Sequence, residues 1–210
     1  MYFTSVESAD DISMKRNDRT VVMVHKDDDP TVVFPEAALV GATAGKAAGS
    51  FTYKNIVVKG LTPKVLPESE YAAVHNANGI AIVLKRGKAV TSDGITAGGE
   101  FVDIIDSQDY IIQNIEGNIQ ELLINSDKLS YDNAGISRLE TVTASVLKDA
   151  ADNGMIALDD SGTPDYSVSF LPRSETKPAD RQARRYTGGS FRFTLAGAIH
   201  TAEIVGSIEI

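Results

Sequence analysis

The stretch Gly41-Ala42-Thr43-Ala44-Gly45-Lys46-Ala47 invites a phosphate-binding reading. A phosphate loop needs four residues between its glycines, so that successive N–H groups cradle the phosphates. It also needs Ser or Thr after the Lys to hold magnesium. Here three residues intervene and Ala47 carries no hydroxyl, so the stretch reads as a flexible loop. Asp27, Asp28 and Asp29 could attract a hard cation. Calcium loops alternate their ligands around a glycine turn, whereas three consecutive side chains point in different directions, so this is a solvated turn. Asp159-Asp160-Ser161-Gly162 reads the same way. His25, His75 and His200 stand isolated, without zinc spacing, and no Ser sits in a Gly-x-Ser-x-Gly elbow. His25 and His200 are read as polar residues at strand ends rather than general bases. No catalytic residue, metal ligand or cofactor site emerges.

The remaining chemistry is cationic. Arg181, Arg184 and Arg185 follow Pro178 within one short segment. Helical spacing would place Arg181 and Arg185 on one face. The group serves either as a surface turn paired with Glu175 and Asp180 or as a docking face for an acidic partner, where Arg is favoured.

The elements that must position these residues follow from pattern. Residues 1–18 hold Glu7, Asp10, Asp11 and Asp18 among few apolar side chains, and are expected to be weakly ordered; residues 19–210 form one compact unit or two packed subdomains. Strands are expected over Thr20 to His25, Phe51 to Val58, Met155 to Leu158, Tyr166 to Leu171, Ser190 to Leu195 and Thr201 to Ile210. Arg86-Gly87 between Ile80–Leu84 and Ala89–Thr91 predicts a hairpin. Pro35 to Gly41 and Pro67 to Ala77 predict short helices. Two long helices are predicted over Phe101 to Asn125 and Gly135 to Asn153, each with an apolar stripe at helical period. The class is α+β, a mixed or antiparallel sheet with two long helices packed on it. In the closing segment Ser207, Ile208, Glu209 and Ile210 alternate, as in a half-buried strand able to pair with a neighbouring chain.

Composition sets outer limits. The 210 residues are 42% hydrophobic, enough for a sizeable core, and hold no run of 18 apolar residues that would insert in a membrane. Met1-Tyr2-Phe3-Thr4 lacks the charged and apolar regions of a signal peptide. The absence of Cys excludes disulfides and thiolate chemistry. A net charge of -9 argues against general nucleic-acid binding.

Several stretches, in this order, resemble the contractile tail sheath protein of phages and prophage particles. They are Glu36-Ala37-Ala38-Leu39-Val40-Gly41; Ala48-Gly49-Ser50-Phe51-Thr52-Tyr53-Lys54 with Gly60-Leu61-Thr62-Pro63; and Gly99-Glu100-Phe101-Val102-Asp103. Tyr131-Asp132-Asn133-Ala134-Gly135-Ile136, Asp180-Arg181-Gln182-Ala183-Arg184 and Gly197-Ala198-Ile199-His200 complete the set. Ala48 replaces a usual Pro, and the chain is shorter at its N-terminus than sheath proteins, which begin with an arm and an extra domain. The resemblance implies a structural subunit, not an enzyme, stacked in six-fold rings around a tail tube. Such subunits join by exchanged terminal strands and contract to drive the tube through a cell envelope. The implied partners are other copies of the chain, the tube protein and the baseplate, with no cofactor. The implied location is the virion tail, assembled in the host cytoplasm. A baseplate or tail-terminator protein on the same fold is the alternative. The partner-binding residues would be Arg181, Arg184 and Arg185 with Ser207, Ile208, Glu209 and Ile210.

Overall fold

A computed structural model describes residues 1–25, 33–63, 66–204 and 206. Asp27, Asp28 and Asp29, and Ser207 to Ile210, lie outside the described residues. The chain divides into two compact units. Unit 1 comprises residues 1–47, 51–105 and 197–210; unit 2 comprises 48–50 and 106–196.

Unit 1 is built on a four-stranded mixed sheet in the order β1 (Tyr2–Val6), β2 (Thr20–Val24), β3 (Ile80–Lys85), β4 (Lys88–Thr91). The first three strands are parallel and the last is antiparallel. Every residue of β2 is buried. Its side chains alternate between two cores, as the period of a strand requires. Val21 and Met23 pack with Leu39 of α1 (Pro35–Thr43), Tyr53 and Ile80. Val22 and Val24 pack with Val74 of α2 (Glu68–Asn76) and with Ile12. A strand covered on both faces reads as a continuous apolar run, which is why Thr20–Val24 stands out in the sequence.

Two expectations for unit 1 are corrected. The N-terminal residues are not weakly ordered. They supply β1 and a 3₁₀ helix, Ala9–Lys15, whose Ile12 is wholly enclosed and closes one face of the sheet. Nor is Phe51–Val58 a strand. It folds as turns, with Asn55 in the left-handed region at φ 61° and only Val57 bridging to β4. The buried Thr91 hydroxyl holds this segment, donating to the Tyr53 carbonyl at 2.5 Å and accepting from the Ile56 N–H at 2.9 Å. Thr91→Val keeps the shape but strands both backbone groups. It is expected to cost about 2 kcal/mol in chemical denaturation, with Thr91→Ser retaining most of the stability. The predicted β3–β4 hairpin is present, with Arg86 and Gly87 both at positive φ as its tight turn requires.

Unit 2 contains most of α3 (Val102–Ile124), then α4 (Asn133–Asp152) and an antiparallel pair, β5 (Tyr166–Phe170) and β6 (Gly189–Phe193). Beyond its first turn, whose Val102 is buried with Val21 and Ile80 of the mixed sheet, α3 packs with α4 in a core that takes in Tyr166, Val168 and Phe193 of this pair. Ile111 and Ile115 meet Val146, Leu147 and Ala150 in its core, closed by Met155 and Ile156. Of the apolar side chains at helical period, Ile105, Ile111, Ile115, Ile136, Val146, Leu147 and Ala150 are buried, several others are half-buried, and Ile112 and Leu123 are exposed. Met155 to Leu158 forms isolated bridges, from Ile156 to Leu195 and from Leu158 to Pro164, rather than a strand.

Candidate functional site

In unit 2, the Arg segment begins with α5 (Pro178–Gln182), which is too short to carry Arg185 on its face. The chain turns at Arg184, whose φ of 54° is left-handed, so Arg181 and Arg185 do not share a helical face as their spacing suggested. The three cations do different work. Arg181 turns inward. Its guanidinium donates to the Thr176 carbonyl, to the Thr176 hydroxyl at 3.2 Å and to the Arg173 carbonyl at 3.1 Å. It braces the preceding 3₁₀ turn, Arg173–Glu175. Arg185 is exposed and lies 3.6 Å from the Asp180 carboxylate. Arg184 is exposed.

Arg184 and Arg185 rim a groove of about 510 Å³. Its walls include Ile119 and Leu123 of α3, Leu139 of α4 and Phe191 of β6, and Tyr186 closes one side. Tyr186 stacks on Phe170 and donates its hydroxyl to the Leu171 carbonyl at 2.9 Å. Burial and the nearby Tyr131 and Glu140 hold its phenol above the ordinary range. Leu123 and Phe191 are 53% and 41% exposed, so the groove offers apolar surface to solvent. Among the described residues β5 and β6 pair only with each other, which leaves ladder groups unpaired on both outer sides.

A second cluster lies in unit 1 and was not legible in the sequence. Asp93, in the loop after β4, is 6% exposed. Three cationic or potentially cationic groups converge on its carboxylate: Lys54 Nζ at 3.8 Å, His75 Nδ1 at 3.3 Å and His200 Nδ1 at 3.6 Å. His200 Nε2 lies 2.8 Å from the Thr52 hydroxyl, and its ring stands edge-on to Phe101 with centroids 5.0 Å apart. The residues come from positions 52, 54, 75, 93, 101 and 200, so no local spacing could announce them. His200 is not a strand-end residue, because Thr201–Ile204 has no regular structure. The expected closing strand is thus absent over those residues. Hydroxyl, imidazole and carboxylate in a row resemble a nucleophile relay, but none of the three residues lines a described cavity that could hold a substrate.

Gly41 belongs to α1, and the Lys46 ammonium sits 4.9 Å from the centre of the Phe51 ring, so the loop has no phosphate-cradle geometry. Among the described residues, no group of three His, Asp or Glu side chains is placed to hold a metal. No helix among them is long and apolar enough to cross a membrane.

No protein-family model and no curated protein matches the chain. Solved structures do. A chain in the six-fold symmetrised baseplate of the anti-feeding prophage superposes with a TM-score of 0.76 at 12% identity, over 99% of this chain and 60% of that one. The sheath complex of an extracellular contractile injection system, in its contracted state, gives 0.76 at 11%, over 99% and 64%. The sheath tail protein of Listeria innocua gives 0.54 at 14%, over 80% and 42%. The chain spans less than two thirds of the length of each of these proteins. An α+β arrangement with a mixed sheet, two long helices and an antiparallel strand pair, superposing over nearly its whole length, gives this chain the fold of contractile sheath proteins.

Proposed function

We propose that the chain is a structural subunit of a contractile tail sheath, stacked in hexameric rings around a tail tube and contracting to drive that tube through a cell envelope. The observation that carries this reading is the near-complete superposition on a sheath solved in its contracted state. The β5–β6 pair supports it. A two-stranded sheet with both sides open gains by accepting strands from neighbouring copies, and Ser207 to Ile210 has the alternating pattern of a donor. Contraction then exchanges one set of rigid-body contacts between subunits for another while the strand links persist, so no cofactor or catalytic step is needed. The subunits would assemble in the host cytoplasm and end in the virion tail, with the tube protein and baseplate as further partners. The likeness to a chain in a baseplate assembly favours a second reading, a baseplate or terminator component on the same fold. Electron microscopy of the native particle separates them: rings repeated along the tube support the sheath, and a single ring at one end supports the alternative.

The Arg segment sharpens the test. Arg184 and Arg185 are the docking cations in this reading, while Arg181 is an internal brace. Arg184→Glu with Arg185→Glu should leave the melting temperature of the isolated chain within a degree or two, yet weaken assembly most strongly at low salt. Arg181→Ala should instead cost about 1–2 kcal/mol of stability, because it uncovers carbonyls the guanidinium now satisfies. Normal assembly by the double Glu variant would remove Arg184 and Arg185 from the interface.

A further inference from the structure

The C-terminal segment of unit 1 is held in an unusual way. Of the described residues after Ala196, His200 is the sole position that is not exposed. Its neighbour Ile199 is 88% exposed and Ile204 is 91% exposed. Apolar side chains so close to an anchored residue would normally share its burial, so the segment is held by the imidazole rather than by a hydrophobic stripe. The seat contacts both nitrogens and the ring. Thr52 contacts Nε2, the Asp93 carboxylate faces Nδ1, and Phe101 receives the ring edge-on.

We infer that His200 is an anchor that fixes where the C-terminal segment stops belonging to its own unit 1, so that motion begins at Thr201 rather than at Gly197. The seat also favours one tautomer. The negative carboxylate 3.6 Å from Nδ1 attracts the proton to that nitrogen by charge alone, which leaves Nε2 to accept from the Thr52 hydroxyl. Lys54 lies 3.8 Å from the same carboxylate and keeps it paired if the imidazole leaves, so release of the anchor strands no bare buried charge. The anchor is therefore detachable by design of its surroundings. Its use in strand exchange rests on the sheath reading, whereas the anchor itself does not.

The test uses the isolated full chain, so a failure of the sheath reading leaves its result intact. Backbone ¹⁵N relaxation should give order parameters near 0.85 through His200, falling below about 0.6 within a few residues of Thr201. Imidazole ¹⁵N shifts should report the Nδ1–H form. In His200→Ala the fall should begin at Gly197 instead, with the melting temperature nearly unchanged. His200→Phe keeps the ring contact with Phe101 but loses both nitrogens, and should behave like His200→Ala. Thr52→Val, which removes only the hydroxyl, should lower the order of Ala198 to His200 and erode the tautomer preference. The inference is overturned if His200 is already mobile in the wild type, if the ring carries its proton on Nε2, or if His200→Phe leaves the segment ordered. The last result would make the seat a simple aromatic contact.

Discussion

Leu147→Ala is expected to destabilise unit 2 by about 3–5 kcal/mol. Leu147 is wholly enclosed, packed among Ile111, Ile115, Val146 and Met155. Truncation removes the transfer free energy of the lost methyl and methine groups and leaves a cavity. Helices α3 and α4 can close that cavity only by breaking their other contacts. Leu123→Ala is the control on the same pair of helices. With 53% of its surface already in water, Leu123 should contribute no more than about 1 kcal/mol. Urea titration followed by helical circular dichroism reads both. A cost below about 1 kcal/mol for Leu147→Ala would mean that the helices do not meet at this cluster.

Gly135→Ala sets two opposed effects against each other. Helix propensity alone would reward alanine by roughly 1 kcal/mol in the first turn of α4. Geometry forbids it. An added Cβ would lie 1.9 Å from the Ser130 carbonyl oxygen and 3.0 Å from its carbon, both backbone atoms. Relief requires moving the loop that carries Asp132, whose carboxylate caps the helix by accepting from the Gly135 N–H at 2.9 Å. Loss of that cap adds about 1 kcal/mol to the packing strain. The net result should be a loss of roughly 2–3 kcal/mol. A rise in melting temperature on Gly135→Ala would show that propensity wins and that the loop does not cross the helix here.

These positions illustrate what was legible. The second long helix was legible from its apolar period, with a start expected at Gly135; it begins at Asn133, because the Asp132 cap that sets its first turn lies outside that period. The hairpin at Arg86-Gly87 and the first long helix are legible for the same reason, as period and turn chemistry are written within a few residues. Phe51–Val58 misled because β-branched and aromatic residues fill it. Its conformation is imposed from 35 or more residues away, by the Thr91 hydroxyl bonded to Tyr53 and Ile56. The N-terminal segment misled because its charges are interspersed with its apolar residues without a clear period, and only the sheet shows that the lone Ile12 is a core residue. The Arg segment was half legible. Composition revealed a cationic group, but the left-handed turn at Arg184 and the inward use of Arg181 depend on carbonyls that no pattern displays. The Asp93 cluster was wholly hidden, since its members meet only after folding.

The two-sided burial of β2 has a consequence for how the central strand finds its place. In a strand with one wet face, slipping by a single residue drives apolar side chains into water and is strongly penalised. β2 has no wet face. A one-step slip would exchange Val21 and Met23 for Val22 and Val24, apolar for apolar, at a cost set only by volume mismatch. The alignment must therefore be fixed at the strand's two ends. There the Ala97 N–H donates to the Thr20 carbonyl at 2.7 Å, and the His25 N–H donates to the Val6 carbonyl at 3.0 Å. The apolar run over residues 21–24 supplies the strand's cohesion, and backbone hydrogen bonds at Thr20 and His25 on either side of it supply its alignment.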